Sequence, residues 1–331
     1  MHKPPHPIRS KRYLLGLLSA LMMYPLHQAH AQNTWPERPI RLIVSFPVGG
    51  IADSIARVIT PHLSQTLGQP VTVDNRPGAN GNIGIAEAVR APQDGHTLLL
   101  TSGASISINP LIYRSQPFNP QTDLAPIAAL ARVHLFLTVS PSVPATNVAE
   151  FIAYLQARPG ALSYGSPGPG SSPHLAGEMF KRAAKVDALH VPYRGAAPAL
   201  QDLLGGHLQF WFDPGIGLKQ VEAENLRMLA IGSLQRSSLY PDIPTLAESG
   251  LPGFDADSLF GLYAPAGTPA PVIEAISTSI ASALEQQSVT NSIRNLGVTP
   301  TRMDRQAFIS HHAREQARFA SLIEDVGLKV D

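Results

Sequence analysis

From residue 40 onward, short apolar runs alternate with stretches whose apolar positions recur at helical spacing. Residues 40–46 read as a buried strand, and Ile55, Ile59, Leu63 and Leu67, each four positions apart, mark one face of the helix after Asp53. Pro61 lies inside that helix and is expected to kink it. Residues 71–73 form a second predicted strand, 83–90 a helix and 96–101 a third strand. Strands alternating with helices imply an α/β protein with right-handed crossovers and a mostly parallel sheet.

The pattern then restarts, with strands at 135–139, 162–165, 188–191, 208–212 and 227–231 interleaved with helices at 148–158, 174–184 and 197–204. A turn-rich stretch at 240–254 leads to a strand at 257–263 and three helical segments, 271–284, 288–296 and 305–325. Two α/β units with a helical tail follow from this. No low-complexity linker separates them, so crossings are placed in ordered chain near 131–135 and 254–258. That gives one lobe of residues 32–132 plus 256–331, a second of 133–255, and a hinged cleft between them. Ligand sites favour domain interfaces and the carboxyl ends of parallel strands.

Charge changes the picture at the N-terminus. The first 31 residues hold Lys3, Arg9, Lys11 and Arg12 and no acid, then an apolar run too short for the about 20 residues of a membrane span. Ala29-His30-Ala31 closes it as a small-x-small site, so a secretory signal cut after Ala31 is expected, with an extracytoplasmic, periplasmic product. The whole chain carries 25 Lys and Arg; without those four, 21 face 24 Asp and Glu, a balance of −3. Nucleic-acid binding, which needs clustered positive charge, loses its basis. The absence of Cys from all 331 residues excludes thiol chemistry and a Cys-ligated zinc.

Candidate chemistry gathers in the loops after strands. In Phe46-Pro47-Val48-Gly49-Gly50-Ile51-Ala52-Asp53 the glycines allow close backbone approach, and free amides at a helix start favour an anion. Asp53 either joins that site or satisfies the amides itself. Asn75 to Asn82 is read as turn chemistry, with Asn82 capping the next helix. Ser102 and Ser105 suit a cleft floor.

The second unit repeats the device. Ser166, Gly170, Ser171 and Ser172 belong to a glycine- and serine-rich loop in which Ser171 or Ser172 caps the following helix. Two such loops would set two amide-lined anion sites face to face. His174 either packs or touches ligand. Arg194, before Gly195, either offers a fork to a carboxylate or pairs with a surface acid. Asp213 either orients a ligand or caps the next helix. Ser258 and Phe260, on the strand after the second crossing, complete the set.

Catalytic signatures fail throughout. No Ser has Gly at both −2 and +2, no metal-protease or EF-hand spacing occurs, and adjacent His311-His312 face different ways on a helix. No cofactor or metal site is expected.

Read in order, these loops resemble the periplasmic solute-binding components of tripartite tricarboxylate transporters, the Bug or TctC-like family. The resemblance runs from Trp35-Pro36 to the C-terminus. It is carried by Phe46-Pro47 with Gly49-Gly50 and Asp53, and by Gly68-Gln69-Pro70-Val71 with Asn75-Arg76-Pro77-Gly78-Ala79. His190-Val191-Pro192-Tyr193-Arg194-Gly195 and Ala264-Pro265-Ala266-Gly267-Thr268-Pro269 carry it further. The resemblance implies a type II periplasmic-binding fold closing on a small carboxylate: a di- or tricarboxylate, acidic amino acid or aromatic acid. It also implies membrane permease partners and a monomer. The family often has Thr where Ala52 stands and a small residue where Ile51 stands, which implies a more apolar or differently shaped ligand. A receptor for a membrane signalling partner, or an enzyme acting on a small anion, are the alternatives.

Overall fold

A computed structural model describes residues 1–2, 35–325 and 327–330. Apart from its first two residues, the expected export signal, with the cut after Ala31, lies outside the described residues. The first unit runs β1 (Ile40–Val44), α1 (Ile51–Leu67), β2 (Val71–Asn75), α2 (Asn82–Val89) and β3 (Thr97–Ser102). Three short helices follow, α3 (Gly103–Ser107), α4 (Asn109–Ile112) and α5 (Pro120–Asp123), then β4 (Leu124–Val133). The second runs β5 (Phe136–Val139), α6 (Val148–Gln156), β6 (Ser163–Ser166), α7 (Ser172–Ala184), β7 (Leu189–Pro192) and α8 (Ala196–Leu204). It closes with β8 (Phe210–Asp213), α9 (Leu218–Glu222) and β9 (Arg227–Ile231). The chain returns through β10 (Ser258–Pro265), α10 (Ala270–Glu285), α11 (Gln287–Arg294), β11 (Val298–Pro300) and α12 (Arg305–Asp325).

Two sheets result, ordered β11-β4-β10-β3-β1-β2 and β7-β6-β8-β5-β9. The expectation of mostly parallel pairing holds only for β1 with β2 and β3, and for β6 with β7 and β8. Strands that enter after a passage between the sheets run the other way: β10 is antiparallel to β3 and β4, and β5 to β8 and β9. β4 has no counterpart in the predicted elements. Its sequence, LAPIAALARV, lacks a β-branched run, and it is held as a strand by β10 on one side and β11 on the other.

Amphipathic helices cover the sheets. On α1, Ile51, Ile55, Ile59 and Leu63 are buried in the same core as Leu42 and Leu98 of the sheet and Ile276 and Ile280 of α10. Pro61 sits on the exposed face, and the helix continues past it to Leu67, where Gly68 at φ 73° ends it.

The chain leaves the six-stranded sheet between Val133 and Phe136 and re-enters it between Ile231 and Ser258. The two passages are stitched together. Gly232 N donates to Leu135 O at 2.7 Å, and buried His134 Nδ1 lies 2.9 Å from Ser233 Oγ and 3.2 Å from Asp257 Oδ1. Its Nε2 meets Thr299 Oγ1 at 2.9 Å. Elsewhere the lobes touch mainly through apolar surface, where Leu175 of α7 is buried with Ile108, Ile112, Phe319, Leu322 and Ile323, and through an ion pair from Arg182 of α7 to Asp325 of α12.

Candidate functional site

A cavity of about 490 Å³ lies between the sheets, within the roughly 300–1,000 Å³ typical of small-ligand sites. Its walls are loops that follow strands: Ser45 to Pro47 and Gly50 to Ala52 after β1, Pro77 to Gly81 after β2, and Ser102 ending β3. From the other lobe come Pro167 to Pro169, Ser171 to Pro173, Tyr193 to Ala196, and Pro214. Val133, Leu135, Ser258 and Phe260 line it where the chain passes between the sheets, and Tyr113 joins them.

The start of α1 is built to leave amides free. Its N-cap is Gly50, which has no side chain to accept from the first turn, so the N–H groups of Ile51 and Ala52 lack an intrahelical acceptor on the cavity wall. Asp53 does not take them. Its carboxylate turns to the Gly49 N–H at 3.0 Å and Arg57 Nε at 3.0 Å, and it is not on the wall. Burial works against its charge, but the bonds from Arg57 and Gly49 hold its pKa below the usual carboxylate value.

The start of α7 is built the opposite way. Ser171 Oγ accepts from the His174 N–H at 3.4 Å, and His174 Nδ1 accepts from the Gly170 N–H at 3.0 Å. His174 therefore ties the loop together from behind the wall, stacked on His190 with ring centroids 3.8 Å apart. Burial, with Lys181 nearby, lowers its pKa to about 4. Burial and His174 lower that of His190 to about 3, so both rings are neutral at physiological pH. Ser166, bonded to His190 Nε2 at 2.7 Å, serves the same support.

In this lobe the uncapped helix start that faces the cavity is that of α8. Its N-cap, Gly195, also lacks a capping side chain, and its φ of +123° disfavours any other residue. A Cβ there would come within 3.2 Å of Pro47 Cγ, so the starts of α1 and α8 converge across the cleft. Both helix dipoles present their positive ends to one cavity. Arg194 is the single charged side chain on the wall and is exposed, with no acid in ion-pair distance among the described residues. Ser258 Oγ is buried without a hydrogen-bond partner. Among the described residues, no Asp, Glu, His or Lys lines the cavity.

Of the expected site residues, Pro47, Gly50, Ala52, Ser102, Ser171, Ser172, Arg194, Gly195, Ser258 and Phe260 lie on this wall. Val48, Gly49, Asp53, Ser105, Ser166, Gly170, His174 and Asp213 do not. Val48 points to solvent at the turn tip. Ser105 Oγ donates to Asn80 O at 2.7 Å and props the neighbouring loop. Gly170 packs where a Cβ would meet Ile112 at 2.1 Å. Asp213 is wholly buried and accepts from the Gly215 and Gly217 amides of the turn before α9; it does not cap that helix, whose N-cap is Gly217 without a side-chain bond.

Sequence reasoning missed Tyr113 and the Pro77–Gly81 wall. The latter was read as turn chemistry alone, although its place at the carboxyl end of β2 was the available signal. Asn82 does not cap α2 either: Gly81 holds that position, and Asn82 Oδ1 accepts from Asn109 Nδ2 at 2.8 Å.

The architecture and the cleft define a two-lobed periplasmic-binding protein. The tripartite tricarboxylate transporter family receptor model matches residues 55–328, and the chain belongs to that family. It is 36% identical over 301 residues to BugT of Bordetella pertussis, covering 90% of this chain and 92% of that protein. A structure of an R. palustris protein with adipate superposes with a TM-score of 0.86 at 35% identity, covering 89% of this chain and 99% of that one. MatC from Rhodopseudomonas palustris with bound malate gives 0.82 at 28%, covering 87% and 100%.

Proposed function

We propose that this protein is a periplasmic receptor that captures a small organic carboxylate by lobe closure and hands it to the membrane permease of a tripartite tricarboxylate-type transporter. The observation that carries this is the pair of glycine-capped helix starts, one from each lobe, converging on a cavity whose one charged side chain is Arg194. Free amides, a guanidinium and the unpartnered Ser258 hydroxyl complement a carboxylate and nothing cationic. Relatives solved with adipate and with malate support the same class. Among the described residues no helix is long and apolar enough to cross a membrane. The expected signal, if cut after Ala31, would deliver the chain to the periplasm.

A thermal-unfolding screen against carboxylates, sugars and cations tests this. A bound acid at 100 times its Kd adds about 2.7 kcal/mol of stability. Arg194→Ala weakens binding about tenfold, the scale of one charge-assisted hydrogen bond at a partly exposed site. Stabilisation by sugars or cations alone, or acid binding indifferent to Arg194→Ala and to salt, sinks the proposal.

A further inference from the structure

We infer that the ligand is a carboxylate on an apolar body, an aromatic acid or a medium-chain dicarboxylate, rather than a hydroxylated or tricarboxylic acid. This builds on carboxylate capture at the same cavity. Much of the wall's side-chain polarity is already engaged within the protein. Ser45 Oγ donates to Thr101 Oγ1 at 2.7 Å, and Ser102 Oγ accepts from the Ser105 N–H at 3.3 Å. Ser171 Oγ donates to Gly168 O at 2.7 Å besides capping α7, and the Tyr193 hydroxyl donates to Asp202. Asn80 Nδ2 donates to Asn109 Oδ1 at 2.8 Å, and its backbone carbonyl accepts from Asn109 Nδ2 at 3.0 Å.

That leaves, among the described residues, Arg194, Ser172, Tyr113 and Ser258 with side-chain donors on the wall and no internal partner. With the two helix starts, they suffice for one or two carboxylates. The remaining surface is apolar: Phe46, Ile51, Val133, Leu135 and Phe260. The Phe46 and Phe260 rings, both on the wall, lie 5.9 Å apart at 56° as a tilted pair. A ligand hydroxyl or third carboxylate against that surface would give up its water without a replacement partner. A methylene chain or an aromatic ring would gain burial there.

Calorimetric titration of the purified protein with benzoate, terephthalate, adipate, malate and citrate tests the inference. At least one of the first three should bind ten or more times tighter than malate and citrate, and the preferred one separates ring from chain. Malate or citrate binding as tightly as the best of the three overturns this inference while leaving carboxylate capture standing. Silence from all five overturns both. Phe260→Leu, and Phe46→Leu should the first fail to fold, should weaken the apolar acid about tenfold with malate affinity unchanged. Equal losses for both acids would show that the rings serve the fold and not the ligand.

Discussion

The loop before α1 and the loop before α7 look alike in sequence: each follows a strand, carries glycines and opens a helix. Their structures part at one residue. At the first, Gly50 stands at the N-cap and leaves the amides of Ile51 and Ala52 unpaired on the cavity wall. At the second, Ser171 stands there and closes the first turn on itself, with His174 fastening the loop behind it. In the second lobe the helix start left open on the cavity is that of α8, where the cap is again a glycine. A glycine- and serine-rich turn on the cavity wall thus does not by itself leave its helix start open. The identity of the cap residue decides whether a helix start is offered outward or satisfied internally.

Exchanging the caps should exchange the behaviours. The largest effect is expected from Gly50→Asp, whose φ of −79° accepts a side chain and whose Cβ meets nothing closer than 3.4 Å. Its carboxylate would take the free amides and repel the ligand, weakening binding about a hundredfold, or some 2.7 kcal/mol, with stability equal or higher. Calorimetry beside thermal unfolding reads both; undiminished affinity would remove the α1 start from the site. Ser171→Ala should do the converse, lowering stability by ~1 kcal/mol in denaturant unfolding while changing affinity by less than tenfold. A loss of binding larger than the loss of stability would put Ser171 among the ligand contacts.

The smallest effect is in pH. His174 and His190 are neutral in the fold, with pKa values lowered to about 4 and about 3, whereas the unfolded chain binds protons near the ordinary 6.5. Between these values the unfolded state holds more protons. The pair's contribution is therefore complete above about pH 6.5 and declines as pH falls toward 4. Glu178 and Lys181 face the same stack, and the Tyr164 hydroxyl is engaged with Glu178 at 2.6 Å. Unfolding midpoints measured from pH 7.5 to 4.5 should fall for the native chain and flatten for His174→Gln; parallel curves would assign the acid sensitivity elsewhere.

Much of the fold was legible because α1 and α10 carry apolar positions at helical spacing and β1, β3 and β9 are predominantly apolar runs. β4 was not, since alanines and Pro126 give no strand propensity and its place is set by β10, over 120 residues away in the chain. The site was legible where position alone decides, as at Pro47, Gly50 and Gly195. It was illegible where a side chain has two possible partners. Asp53, His174 and Asp213 lie off the cavity wall and accept from neighbouring backbone amides, a choice fixed by local geometry within four residues. Tyr113 reaches the wall from a segment of short helices with no periodicity to announce it.

The two contacts that join the lobes obey different rules of motion. Around His134 the passages are pinned by directional bonds to Ser233, Asp257 and Thr299, which tolerate slight turning but not displacement. Around Leu175 the seam is mainly non-directional apolar packing, with one surface ion pair, Arg182 to Asp325, at its edge. The two seams therefore differ in kind: one side of the cleft is fastened by bonds that fix direction, the other chiefly by a surface whose hold depends on area.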